Sequence, residues 1–214
     1  MKKLTAFILS VLLVFQLSAT ALAFTDTENN PFTGKKYTHD DRFDGREIIH
    51  GLDISQYQSN VDFKKVKADG VDFVILRAAY RGYSKGTLVK DTTFDKYAKA
   101  AVEAGIDIGA YIYSQAITVE EAEEEAEYIL GIVKNYKITL PIVFDYEYAS
   151  PATSRLRAAK LSDKKHTDIC LAFCKKVEES GYTAMVYANQ SMLTNDINDE
   201  DSPYIEIYDD WRES

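Results

Sequence analysis

From Ile48 onward the chain alternates short apolar runs with stretches of helical periodicity, and this alternation narrows the possible folds more than any other feature. The pattern predicts strands at Gly51–Tyr57, Phe73–Tyr80, Asp107–Ser114, Pro141–Glu147 and Ala184–Asn189. Between them it predicts helices near Asp62–Asp69 and over Asp91–Ala104, Val119–Lys134 and Ser162–Ser180. Gly70, Gly105 and Gly181 closely follow three of these helices, where the left-handed turn that ends a helix favours a residue without Cβ. Strands alternating with helices over short links predict an α/β fold, with a parallel sheet covered by helices and either open or closed into a barrel.

In the Val119–Lys134 helix, Val119, Ala122, Ala126, Ile129, Leu130 and Val133 make an apolar stripe. Glu120, Glu121, Glu123, Glu124, Glu125 and Glu127 lie between them and are expected to form a solvated outer face. Cys170 and Cys174, the only cysteines, stand four apart on one helix face, where a bridge would close almost no loop. They are expected to be small buried hydrophobes. With only His39, His50 and His166 besides, no zinc-ligand pattern forms, and no cofactor is expected. The run Asn195–Asp201 lacks the glycine and the terminal glutamate of a calcium loop and reads as an exposed acidic loop.

The chain begins with Lys2 and Lys3, an apolar stretch from Ala6 to Leu17, and Ala21-Leu22-Ala23. That order is the pattern of a secretory signal peptide cut after Ala23. The apolar run is short for a membrane span, so an exported chain with no stable membrane association after cleavage is expected. Cleavage would remove two lysines and no acid, making the formal net charge of -9 more negative still. Such a surface disfavours nucleic-acid phosphates, and no basic patch with interleaved aromatics appears. Residues 24–48 are polar without apolar periodicity and read as a linker or arm before the domain at 49–214.

Active sites of parallel α/β folds gather at the C-terminal ends of the strands. The apolar run Ile142–Phe144 turns acidic at its end, and strand alternation points Asp145 and Glu147 to the same face. Two carboxylates held together at the edge of an apolar core repel, so one pKa should rise, which is the condition for a general acid beside an anion. That arrangement suits cleavage of a glycosidic bond, although a strand ending in solvated acids has the same local pattern. The other strand ends offer Asp53-Ile-Ser-Gln-Tyr57, Arg77-Ala-Ala-Tyr80-Arg81, Tyr111-Ile-Tyr113-Ser114 and Tyr187-Ala-Asn189-Gln190. Acids among tyrosines and amides suit a carbohydrate cleft, with Arg77 as a structural ion-pair partner. No glycine-rich phosphate loop follows the first strand, and no G-x-S-x-G elbow is present.

Five motifs in order resemble the lysozymes of glycoside hydrolase family 25, the N-acetylmuramidases. They are Gly51-Leu-Asp-Ile-Ser55, Val66-Lys-Ala-Asp-Gly-Val-Asp-Phe-Val-Ile-Leu-Arg-Ala-Ala-Tyr80, Gly109-Ala-Tyr-Ile-Tyr-Ser114, Asp145-Tyr-Glu147 and Gly181-Tyr-Thr-Ala-Met-Val-Tyr-Ala-Asn189. The resemblance implies a TIM-like (β/α) barrel variant that cleaves the β-1,4 bond between N-acetylmuramic acid and N-acetylglucosamine in bacterial peptidoglycan. It implies Glu147 as general acid, Asp145 as the group that orients the substrate's N-acetyl arm or stabilises its developing charge, and Asp53 as a supporting carboxylate. Tyr80, Tyr111, Tyr113, Tyr187 and Asn189 would bind substrate, although at least one tyrosine is expected to be packing and Asp53 has a capping role open to it. Such an enzyme is expected to be secreted and monomeric.

The family continues after the strand containing Tyr187 with three more strands, whereas this chain reads Asp201-Ser-Pro-Tyr-Ile-Glu-Ile-Tyr-Asp-Asp-Trp211 and stops at Ser214. Gly51 to Ser214 falls short of the roughly 200 residues or more of a full barrel. A member incomplete at its C-terminal end is therefore expected, with residues 204–208 as a sixth strand. Alternatives for such a chain are a glycan-binding module without turnover, a hydrolase of chitin-like sugars, and an inactive remnant.

Overall fold

The computed structural model describes residues 28–29, 36–37, 45–46 and 49–197. The chain divides into two compact units, Met1–Arg46 with Asp210–Ser214, and Glu47–Asp209. In the first, β1 (Glu28–Asn29) and β2 (Lys36–Tyr37) pair antiparallel, within the stretch read as a polar arm. The signal-peptide pattern at 1–23 and the sixth strand expected at 204–208 lie outside the described residues.

The second unit runs β3 (Gly51–Ile54), α1 (Phe63–Ala68), β4 (Phe73–Arg81), β5 (Leu88–Lys90), α2 (Phe94–Glu103), β6 (Asp107–Ser114) and α3 (Val119–Val133). It continues with β7 (Ile142–Tyr146), α4 (Arg155–Ala159), α5 (Asp163–Glu179), β8 (Ala184–Tyr187) and α6 (Gln190–Asn195). β3, β4, β6, β7 and β8 are neighbours in that order and all parallel, while β5 joins β4 antiparallel. The result is a TIM-like (β/α) arrangement whose sheet, among the described residues, is not closed.

The five strands and four helices expected from alternation between residues 51 and 189 are present; Asp107–Ser114 keeps its expected bounds and the others shift at one or both ends. The first strand stops at Ile54 and the last at Tyr187, because the residues beyond them serve turns and caps. Asn189 becomes the N-cap of α6, its side-chain oxygen accepting from the Met192 amide. Asp91 precedes α2 and accepts from the amides of Gln56 and Thr93. Gly70, Gly105 and Gly181 have φ of +92°, +73° and +84°, the left-handed helix stops their positions call for. β5, α4 and α6 are too short to leave a periodic signal.

Alternation divides the sheet into two faces. Ile108, Ala110 and Ile112 of β6 and Ile142, Phe144 and Tyr146 of β7 are fully buried in the core on the helix side. Phe144 stacks on Phe173 of α5 with centroids 4.4 Å apart. Burial of such a ring contributes on the order of 2–3 kcal/mol. The intervening residues, including Tyr111, Tyr113 and Asp145, necessarily turn to the opposite face.

Helix α3 corrects one expectation. Glu125 is fully buried, not solvated, and accepts from Arg81 Nε at 2.5 Å. Its position three after Ala122 and four before Ile129 places it on the buried stripe. Arg81 also reaches Glu124 at 2.7 Å and the Gly86 carbonyl at 2.8 Å, so the buried guanidinium is surrounded by acceptors. Glu121 binds Arg155 through both oxygens, at 2.6 and 2.9 Å. Cys170 and Cys174 are buried and unbridged, as expected.

Candidate active site

Strand register assembles the acids and tyrosines on the face opposite the helices. Tyr80, Tyr113, Asp145 and Tyr187 are successive cross-strand partners and form one row over β4, β6, β7 and β8. Arg77 and Tyr111 make the next row toward the strand starts, and Asp53 pairs with Ile75 one row further. Arg77 and Tyr80 are three residues apart, which strict alternation would send to opposite faces. An irregularity between Arg77 and Ala79 absorbs the extra residue and returns Tyr80 to the site face.

Glu147 stands one residue past the end of β7. Loss of water raises its pKa and Asp53 adds repulsion, while a hydrogen bond from Asn189 pulls the other way. Since the Asn189 oxygen is committed to capping α6, its amide nitrogen faces Glu147. Asp145 is raised well above the ordinary carboxylate range, first by burial, then by Glu147 and Asp53, against the opposing charge of Arg77. Its Oδ1 is buried with no protein partner. Asp53 remains accessible to solvent, and its pKa is raised by partial desolvation against a hydrogen bond from Tyr111 and the charge of Arg77. The negative charges of Glu147 and Asp53 thus act on Asp145, and that of Asp53 on Glu147.

The tyrosines divide by environment. Tyr111 is nearly buried and donates to Asp53, so it supports a carboxylate. Tyr113 is half-buried beside Glu147 and Asp145, which together with desolvation keep its hydroxyl protonated. Tyr187 is half exposed and senses all three acids. Arg77 donates to Asp91 at 2.8 Å, the structural ion pair expected of it. Its guanidinium also lies over the rings of Tyr57 and Tyr80, at 4.9 and 5.3 Å from their centroids. No cluster of three His, Cys, Asp or Glu able to hold a metal occurs among the described residues.

Two residues near Glu147 carried no sequence signal. Buried Gln115 donates to the Glu147 carbonyl at 2.6 Å. Buried His166 meets the hydroxyl of Tyr146 at 3.0 Å and that of Tyr148 at 3.4 Å. Their partners lie 18 to 32 residues away, beyond the reach of any local pattern.

Comparison with known proteins agrees with this fold. The autolytic lysozyme of Clostridium acetobutylicum is 30% identical over 99 residues, covering 46% of this chain and 28% of its own length. The N,O-diacetylmuramidase of Arthroderma benhamiae is 33% identical over 105 residues, covering 48% of this chain and 42% of its own. The matched stretch thus spans less than half of either curated relative. A family 25 glycosyl hydrolase from Bacillus anthracis superposes with a TM-score of 0.62 at 21% identity, covering 79% of this chain and 71% of that one. The modular autolysin LytC from Streptococcus pneumoniae gives 0.60 at 24% identity, covering 76% of this chain and 38% of that one. The sequence profile of glycosyl hydrolases family 25 matches residues 52–208, which include every strand of the parallel sheet beyond its first residue. The chain belongs to glycosyl hydrolases family 25.

Proposed function

We propose that this chain is an exported N-acetylmuramidase that hydrolyses the β-1,4 bond between N-acetylmuramic acid and N-acetylglucosamine in peptidoglycan. One observation carries the reading. Asp53 and Asp145 share one sheet face with Glu147 just past the end of β7, all three pKa values are raised, and the most strongly perturbed, Asp145, presents a buried oxygen with no protein partner. A buried acceptor without a partner is costly unless a ligand or water completes it. The lysozyme and muramidase names of the relatives agree with this substrate class, and LytC has also been solved with a synthetic peptidoglycan ligand. The basic-apolar-small pattern of residues 1–23 supports export, with 24–48 as an arm before a catalytic domain at 49–214.

In this mechanism the sugar chain lies along Tyr80, Tyr113 and Tyr187, whose rings offer faces to the sugars. Glu147 gives its proton to the glycosidic oxygen as the bond to the anomeric carbon breaks. The carbonyl oxygen of the substrate's own acetamido group bonds to that carbon, with Asp145 orienting the group through Oδ1. Water then opens the cyclic intermediate and returns a proton to Glu147, so no enzyme nucleophile is needed. Asp53, held by Tyr111, adds negative charge that keeps Glu147 protonated.

The test is release of reducing ends from purified peptidoglycan by the protein and by Glu147→Gln. The expected outcome is activity that falls by at least about a hundredfold in the variant, the scale of general acid catalysis. Undiminished activity in Glu147→Gln would overturn the assignment of the acid. Saturable peptidoglycan binding without new reducing ends would select a glycan-binding module, and faster release from chitin would redirect the substrate.

A further inference from the structure

Glu147 lies outside the strand ladder, so its main chain has to be held by other groups. Gln115 is completely buried, and its side-chain nitrogen donates to the carbonyls of Glu147 at 2.6 Å and Ser114 at 2.8 Å. Gln115 is itself fixed, because Arg155 donates to its carbonyl at 2.8 Å while gripping Glu121 through both oxygens. Glu121 in turn accepts from the amide of Ile117, just before the N-cap of α3. A continuous set of hydrogen bonds therefore runs from α3 to the Glu147 carbonyl.

The residues on either side of Glu147 are held from the helix side. Tyr146 and Tyr148 both turn away from the cleft and reach the two ring nitrogens of one buried imidazole, His166 of α5. A neutral imidazole carries one donor and one acceptor, so one tyrosine donates and the other accepts. Arg157 lies over the Tyr148 ring at 4.7 Å and donates to the Ala149 carbonyl, extending the restraint.

We infer that Gln115 and His166 are positioning residues that clamp the main chain on both sides of Glu147 and so aim its carboxyl into the cleft. The inference rests on Glu147 being the general acid. Displacing a reacting group by an ångström can cost on the order of a hundredfold in rate, so holding one residue this firmly has a kinetic consequence.

The informative variant is Gln115→Met, which keeps length and volume while deleting the donor. It also removes the Gln115 Oε1, which is buried without a partner, and this offsets part of the cost of the two carbonyls left without their donor. The expected result is a kcat on peptidoglycan lowered by about tenfold or more, with KM held within about twofold. A readout independent of turnover is the titration of the Glu147 carboxyl, followed by 13C NMR with labelled glutamate. A released main chain lets that carboxyl swing toward water, so it should titrate at lower pH than in the parent. Parental kcat together with an unchanged titration would overturn the clamp. Glu147→Gln, run in parallel, separates the two ideas, because its retained activity would remove the acid assignment while the titration still reads the clamp. If Gln115→Met does not fold, Tyr146→Phe removes one hydroxyl from His166 and decides by the same readouts.

Discussion

Asn189 does two jobs with one amide: its oxygen caps α6 and its nitrogen donates to Glu147. Replacement by aspartate separates them. Asn189→Asp keeps a good capping oxygen, so helix stability should hold, whereas losing the cap in Asn189→Ala should cost about 1 kcal/mol. The aspartate also exchanges a donor for a second negative charge beside Glu147. That change raises the pKa of Glu147 further, and a general acid with a higher pKa stays protonated to higher pH. The alkaline limb of the pH–rate profile should therefore move upward in Asn189→Asp, with an unchanged unfolding midpoint. A limb that stays in place, or moves down, would detach Asn189 from the acid. The turn of Asp145 to the face opposite the core is legible in sequence because strand alternation sets it, whereas Glu147 stands one residue beyond the strand and its placement depends on distant partners. Tyr80 reaches the same face only through the irregularity after Arg77, which no residue pattern announces.

At the scale of elements, the pairing of β4 with α3 turns on Arg81 and Glu125. Both are buried, and truncating Glu125 strips the Arg81 Nε of its buried partner, leaving Glu124 on one terminal nitrogen as the remaining close carboxylate. Glu125→Ala should therefore lower stability by about 3–5 kcal/mol, read as a shift of the urea midpoint at unchanged slope. A loss below about 1 kcal/mol would mean that Glu124 and Glu121 replace Glu125 around Arg81. The helix itself is legible from its apolar spacing, and the structure adds Thr118 as its N-cap, accepting from the Glu121 amide. The position of Glu125 was also present in that spacing, since 122, 125, 126, 129 and 133 fall on one stripe. It is obscured because a run of glutamates reads as solvent-facing until its arginine partners appear, and those come from β4 and α4. Short elements such as β5 and α6 have no such spacing, and tertiary contacts alone specify them.

Over the whole molecule, the carboxylates that carry the proposed chemistry also set how stability varies with pH. Asp53, Asp145, Glu147 and Glu125 all have raised pKa values in the folded state, with Glu125 pushed up to about 7 by burial against the pull of Ser114 and Arg81. Each binds its proton more tightly folded than unfolded. Their stabilising contribution is therefore complete below the unfolded values, near pH 4, and is lost as pH rises through the folded ones. Asp91, Asp95 and Glu121 act in the opposite sense, since hydrogen bonds or cations lower their pKa values. They stabilise above about pH 4 and lose that contribution as pH falls through their depressed values. The thermal midpoint should accordingly be highest near about pH 5, decline toward about pH 8, and fall again in stronger acid. In Glu125→Gln, a side chain that cannot ionise replaces one of the raised groups, so the decline toward pH 8 should be shallower. Melting curves of both proteins across this range check the pattern. A midpoint that climbs steadily from about pH 5 to pH 8 would mean that these carboxylates ionise without penalty, and would remove the electrostatic basis for a protonated Glu147.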